Sequence, residues 1–114
     1  VKNINDFNHH LIIGSATDNP ILLDFYASWC DSCVVMDKKV FSLPDVQRQL
    51  TKYVLLRADL SDNTGADEAL LKYFNVVAPP TILFFDSHGK EIDANRIVGE
   101  VNATEFLTRL NKIS

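Results

Sequence analysis

Ile21-Leu22-Leu23-Asp24-Phe25-Tyr26-Ala27-Ser28-Trp29-Cys30-Asp31-Ser32-Cys33 is the stretch on which the fold turns. Its first six residues form a nearly continuous apolar run, the composition of a strand buried in the middle of a sheet. Over 31–41 the apolar residues Val34, Met36, Val40 and Phe41 follow a helical pattern. Both cysteines therefore fall where a strand hands over to a helix. Asp24 is the one charge inside the apolar run.

Upstream, Asn3 or Asn5 is placed to cap a helix in which Ile4, Phe7, Leu11 and Ile12 share a face, ended by Gly14 or by the stretch 15–20. Downstream, Pro44 interrupts the cysteine helix and 45–50 resumes it for a turn or two. Residues 53–59 read as a second apolar strand, 61–65 as a turn-rich loop, and 66–74 as a helix with Leu70, Leu71 and Phe74 inward. Pro79-Pro80 stops that region. Residues 81–85 form a third strand, 86–89 a hairpin turn and 91–98 a fourth strand. Asn102 or Thr104 opens a closing helix with Phe106, Leu107 and Leu110 on one face.

Helices between apolar strands imply crossover connections and a sheet covered on both faces, to which the hairpin adds an antiparallel edge. The expected class is α/β, with a central mixed sheet flanked by helices on both faces. A chain of 114 residues supports one domain, residues 1–114, with no internal repeat or linker. The abrupt start at Val1-Lys2 points to a domain of a longer protein whose initial strand precedes it.

Composition narrows the function classes. At 46% hydrophobic residues the chain is neither disordered nor of low complexity. A net charge of −4 without a Lys/Arg cluster argues against nucleic acid as a partner. Apolar runs such as 82–85 are far short of a membrane span, and the polar residues 1–8 do not read as a signal peptide.

The two cysteines are three residues apart. A structural disulfide at that spacing would close almost no loop, and zinc would lack its other two ligands, since His9, His10 and His88 lie far away in sequence. Two inert buried thiols are the remaining bland alternative to a redox-active dithiol. At a helix start Cys30 meets free N–H groups and the positive end of the helix dipole, which stabilise a thiolate. Cys30 is accordingly read as the attacking thiol and Cys33, one turn further in, as the resolving thiol.

Asp24 is the natural proton acceptor for Cys33, because burial in a strand raises a carboxyl towards the pKa of a working base. A frayed strand end with Asp24 in water is the alternative. Asp37, four residues after Cys33, falls on the same helix face, with a solvated surface residue as its alternative. Asp24, Asp31 and Asp37 together would destabilise a thiolate and favour the disulfide, the property of a reductant.

The Asp six residues before the first Cys, the junction Tyr26-Ala27-Ser28-Trp29-Cys30, and Pro80-Thr81 opening a later strand resemble the thioredoxin family, in the right order from Ile21 to the chain end. The resemblance implies a thioredoxin fold, Cys30 as nucleophile, Cys33 as resolving cysteine, Asp24 as the buried acid and Pro80 as a cis-proline beside the dithiol. It also implies partner contacts at Trp29, Asp31, Ser32, Pro79 and Pro80, and no cofactor or metal besides the Cys30–Cys33 pair.

Asp37, the stretch Phe41-Ser42-x-Pro44-x-Val46, and Asn75-Val76 through Phe85 narrow the resemblance. They are similar to the C-terminal periplasmic domain of a membrane-embedded thiol:disulfide interchange protein. That similarity implies a monomer making transient mixed disulfides, with a membrane-embedded domain as donor and an N-terminal periplasmic domain as acceptor. The alternatives are a free-standing thioredoxin-like reductase or oxidase, in periplasm or cytoplasm, and a binding module with vestigial thiols.

The chain departs from the pattern in four places. Asp-Ser replaces Gly-Pro between the cysteines, and Lys38 replaces the mid-helix proline. Asp37 stands where this subgroup has Glu. Pro79 lacks the N–H with which that position would bond a partner chain, so one hydrogen bond to the partner is expected to be missing.

Overall fold

Alternation within the strands decides which helix packs on which side of the sheet. The computed structural model describes residues 3–112, the side chains of Ile4 and of residues 13–16 aside. Nine regular elements follow in order: α1 (Ile4–Thr17), β1 (Ile21–Tyr26), α2 (Asp31–Met36), α3 (Pro44–Leu50), β2 (Val54–Asp59), α4 (Gly65–Phe74), β3 (Thr81–Phe85), β4 (Ile97–Val98) and α5 (Ala103–Asn111). The sheet order is β2-β1-β3-β4, with β1 parallel to β2 and antiparallel to β3. The expected α/β class, with its mixed sheet and antiparallel edge, is what forms.

Ile21, Leu23 and Phe25 point to one face, with Leu56, Ala58, Leu83 and Phe85, and bury Phe7 of α1 and Leu70 and Phe74 of α4. Phe7 packs edge-on to Phe74 at 4.7 Å between ring centroids, which fixes α1 against α4. Leu22, Ile82, Phe84 and Ile97 point to the other face and meet Met36, Val46, Leu50, Phe106 and Leu110. Cys30 and Cys33 belong to the first cluster, so the dithiol is wedged against the α1–α4 side of the core.

Asn3 caps α1, its Oδ1 accepting from the Asp6 N–H at 2.8 Å. The expected inward face of that helix needs one correction: Ile12 is 70% exposed. Phe7 and Leu11 lie one turn apart and face the core, whereas position 12 is rotated a further ~100° away. Ile4, the fourth member expected there, has its side chain outside the described set.

The helix expected over 31–41 is α-helical only to Met36; Asp37–Phe41 forms a π turn. The strand expected over 91–98 shrinks to Ile97–Val98 plus one bridge between Phe85 and Glu91. Its middle, Asp93–Asn95, is a 3-10 turn that tucks Asn95 inward, where the amide Nδ2 donates to the Arg109 carbonyl at 2.9 Å. Satisfying that buried amide on α5 takes precedence over the ladder.

Helix α4 opens with a reciprocal cap. The Thr64 hydroxyl accepts from the Asp67 N–H, and the Asp67 carboxylate accepts from the Thr64 N–H. Thr64→Ala is expected to cost about 1 kcal/mol, read as a shifted urea midpoint at constant m-value.

Candidate redox site

Strand β1 ends at Tyr26, and the chain then turns sharply over 27–30 before α2 begins. Two ties hold that turn. The Cys30 N–H donates to the Ala27 carbonyl at 3.1 Å, and the Ser28 N–H donates to Ser61 Oγ at 2.8 Å. Ser61 is itself anchored, its hydroxyl and its N–H both donating to Asp59 Oδ1.

Cys30 is the N-cap of α2, with extended backbone, and its Sγ accepts from the Cys33 N–H at 3.2 Å. The sulfur thus occupies the place where a capping oxygen usually satisfies a free helix N–H. Cys30 and Cys33 are joined in a disulfide with Cα atoms 5.3 Å apart. Both are buried, Cys30 slightly the more exposed at 8% against 4%. Trp29 before it is half exposed, Asp31 is exposed and Ser32 partly so.

The register brings the proline loop to the same end of the sheet. Phe25 pairs with Thr81, so Pro80 sits across from the point where 27–30 leaves β1. The Pro79–Pro80 bond is cis, the geometry that the sequence could not reveal by itself. The loop is pinned from both sides. Thr81 Oγ1 donates to the Ala78 carbonyl at 2.8 Å, and the Gly99 N–H donates to the Pro80 carbonyl at 2.9 Å. Upstream, Arg96 caps the end of α4 through the Phe74 and Asn75 carbonyls while paired with Glu91. Val77 in this loop is almost fully exposed, an apolar residue offered to solvent beside the prolines.

Asp24 is buried, 9% exposed, on the sheet face opposite Leu23 and Phe25. It is not at a frayed end. Its partner is Arg57 of β2, the register neighbour, whose Nε and Nη2 donate to Asp24 Oδ2 at 3.0 and 2.8 Å. The same guanidinium donates from Nη1 and Nη2 to the two oxygens of Asp37, at 3.1 and 2.6 Å. It also lies over the Tyr26 ring, 4.2 Å from the centroid. Asp37 is therefore no free surface charge, and its backbone N–H donates to the carbonyls of Cys33 and Val34.

Burial pushes the Asp24 carboxyl above its ordinary value; Arg57 pulls it back, and Asp37 adds a smaller push upward. Burial also works against the charge on Arg57, but the hydrogen bonds and charges of Asp37 and Asp24 outweigh it and raise its pKa further. Two carboxylates and one guanidinium leave a formal charge of −1 here, not the −2 that the carboxylates alone would give. A cleft of about 430 Å³ between β2 and α3 is lined by Asp24 and Arg57 with Leu22, Phe41, Leu50 and Leu55.

Arg57 is the residue that sequence reasoning missed. Its signal was present: Asp24 and Arg57 are each the fourth residue of a strand, ILLD and VLLR, so in-register parallel pairing sets them side by side. Among the described residues, no three His, Cys, Asp or Glu side chains converge as a metal ion would require.

A thioredoxin-like domain model matches residues 7–114. The chain belongs to the thioredoxin-like domain family. It is 46% identical over 99 residues, 87% of its length, to the thiol:disulfide interchange protein DsbD of Cronobacter sakazakii. Over all 114 residues it is 43% identical to the DsbD of Pectobacterium atrosepticum. The chain spans only 17% and 19% of those two relatives.

Among solved structures, the oxidised C-terminal domain of Neisseria meningitidis DsbD superposes with a TM-score of 0.81 at 25% identity, covering 98% of this chain and 97% of that one. The reduced form of the same domain gives 0.74 at 26% identity, covering 94% and 96%. The fold is thus the thioredoxin fold that the sequence motifs implied.

Proposed function

We propose that this domain is a thiol–disulfide reductant. It relays electron pairs through Cys30 and Cys33 from a membrane-embedded donor to a periplasmic acceptor domain of a longer DsbD-like protein. The observation that carries the reading is the Cys30–Cys33 disulfide at the start of α2, its first sulfur capping the helix and its second turned into the core. The DsbD name of relatives above 40% identity, each several times longer than this chain, supports both the activity and the presence of further domains.

In the forward direction the Cys30 thiolate attacks a sulfur of the partner's disulfide, forming a mixed disulfide and releasing one partner thiolate. Cys33 then loses its proton to Asp24 and attacks the Cys30 sulfur. The Cys30–partner bond breaks, the Cys30–Cys33 bond forms, and the partner leaves with its second thiolate. Two electrons pass to the partner, and the donor domain later returns two by the reverse steps. Trp29, Asp31, Ser32, Pro79 and Pro80 surround the attacking sulfur in this reading and form the contact surface. Exposed Trp29 and Val77 give that surface an apolar centre. Such contacts need only last one exchange, which suits a monomer.

Equilibration with a dithiothreitol redox buffer tests the assignment. Reversible, two-electron formation of the Cys30–Cys33 disulfide at a reducing potential is the expected result. Failure to form it reversibly, or a potential near that of a strong oxidant at about −120 mV, overturns the reading.

A further inference from the structure

The loop over 75–80 carries Val77, Pro79 and Pro80, and one short segment of chain, 96–99, holds it at both ends. At the far end the Gly99 N–H donates to the Pro80 carbonyl at 2.9 Å, and Val98 pairs with Thr81. At the near end the side chain of Arg96 reaches the exit of α4. Its Nη2 donates to the Phe74 carbonyl at 2.9 Å and its Nη1 to the Asn75 carbonyl at 3.0 Å. Glu91 aims the guanidinium, accepting from Nε at 2.9 Å and from Nη2 at 2.8 Å.

The last carbonyls of a helix lack an intrahelical donor, and a cation suits that end of the dipole. Asn75 leaves α4 in the left-handed conformation, with φ 55°, and the N–H groups of Asn75 and Val76 turn back to Lys72 and Leu71. Lys72, the basic residue of the last turn, is exposed, and the cap comes instead from Arg96, 21 residues after Asn75. The Arg96 and Glu91 side chains are only 21% and 19% exposed, so water competes poorly for these bonds. The Arg96 backbone is fixed in turn, its N–H donating to the Asp93 carbonyl and its carbonyl accepting from Arg109 of α5. Every side-chain bond of Arg96 ends on Glu91, Phe74 or Asn75, and none on the dithiol or the carboxylates near it.

We propose that Arg96 is a positioning residue for partner recognition. It fixes where the chain leaves α4, and so where Val77, Pro79 and Pro80 stand at the end of the sheet from which α2 starts. Four residues separate the clamped carbonyls of Asn75 and Pro80; among them Val76 is buried and the Ala78 carbonyl is bonded to Thr81. A displaced helix exit is therefore passed on to the tip of the loop. Val77, almost fully exposed there, keeps its place through its flanks and not through packing of its own. This inference rests on the reductant reading above.

The test is to mix the reduced domain rapidly with two disulfides that release the same coloured aryl thiolate. One is the symmetrical diaryl disulfide. The other is a neutral, end-blocked peptide with valines on either side of one cysteine, whose sulfur carries the aryl thiol. In both, the Cys30 thiolate attacks, a Cys30 mixed disulfide forms, and the aryl thiolate departs as the better leaving group. Only the peptide is long enough to lie along the loop. The readout is the ratio of the two first-phase rate constants, peptide over aryl. In Arg96→Met that ratio falls by roughly twofold to thirtyfold, the range open to a residue that touches neither reactant, while the aryl rate keeps its parent value. Arg96→Lys, which keeps the charge, falls less.

A purely structural role would lower the folded fraction and both rates alike, leaving the ratio where it was. A ratio unchanged or raised in Arg96→Met, or lower in Arg96→Lys than in Arg96→Met, overturns the role of Arg96. Circular dichroism establishes that each variant is folded. If Arg96→Met does not fold, Glu91→Gln, which loosens the guanidinium without removing it, takes its place, and an unchanged ratio there overturns the inference equally. The two readings fail differently. A parent domain that forms no Cys30–Cys33 disulfide from either probe overturns the reductant reading, whereas normal exchange with a ratio indifferent to Arg96 overturns only this inference.

Discussion

Cys30→Ser is expected to reduce exchange with a protein disulfide to the uncatalysed level, whereas Cys33→Ser completes the first step and stops there as a stable mixed disulfide. The two substitutions are chemically identical, so the asymmetry comes from position. Cys30 caps α2 and follows the exposed Trp29, and its sulfur already accepts a helix N–H, which favours the thiolate over the thiol. Cys33 lies one turn inward and is the more buried of the two. A serine hydroxyl does not ionise near neutral pH and cannot replace either thiolate. Non-reducing electrophoresis with a disulfide-bearing partner, followed by mass spectrometry of the adduct, reads the outcome. An adduct that accumulates with Cys30 removed and Cys33 retained reverses the assignment. Trp29 is the chain's one tryptophan and adjoins Cys30, so its fluorescence follows both steps without a label.

The charge arrangement explains why the same site can both attack and resolve. A helix start favours a thiolate at Cys30, and carboxylates near it disfavour one. Arg57 pairs with both Asp24 and Asp37 and cancels one of the two charges. The remaining charge of −1 is smaller than the sequence suggested, because Asp24 and Asp37 were read there without Arg57.

What was legible beforehand follows from the range of each interaction. The strands over 21–26 and 81–85 were readable because their pattern is local and continuous. Asp24 stood out as a charge in such a run, and burial made it informative. Asp37 stood out by its spacing from Cys33, but its partner Arg57 lies on β2. Arg57 needed the parallel register, which sequence suggests only when two strands are compared position by position. The shortened β4 was not legible at all, because its interruption depends on Asn95 finding the Arg109 carbonyl of α5. The π turn after Met36 breaks no sequence rule, since 37–41 is compatible with an α-helix; its wider turn is a tertiary outcome.

Asp24→Asn is expected to slow resolution by about 10²-fold or more, the usual worth of a positioned general base, while making the domain more stable at neutral pH. The second effect follows from the raised pKa of Asp24, whose main cause is burial. In the unfolded chain the carboxyl loses its proton near pH ~3.9; in the folded domain it holds the proton to higher pH. Stability is therefore greatest while Asp24 is protonated in both states. It falls as pH rises from the unfolded value through the folded one, and above that the full cost persists, about 1.4 kcal/mol for each unit of displacement. Asparagine carries no charge and escapes this cost. Arg57 is not orphaned by the change, because it keeps both bonds to Asp37 and part of its side chain is in solvent. Urea unfolding below and above this window reads the result: the variant and parent domains should agree in acid and diverge towards neutrality, with the variant ahead. A variant that is weaker by the same amount at both pH values would mean that Asp24 serves mainly as an ion-pair anchor for Arg57. A gain in stability with undiminished resolution would break the link between the two, because burying this carboxylate both costs stability and strengthens its hold on a proton.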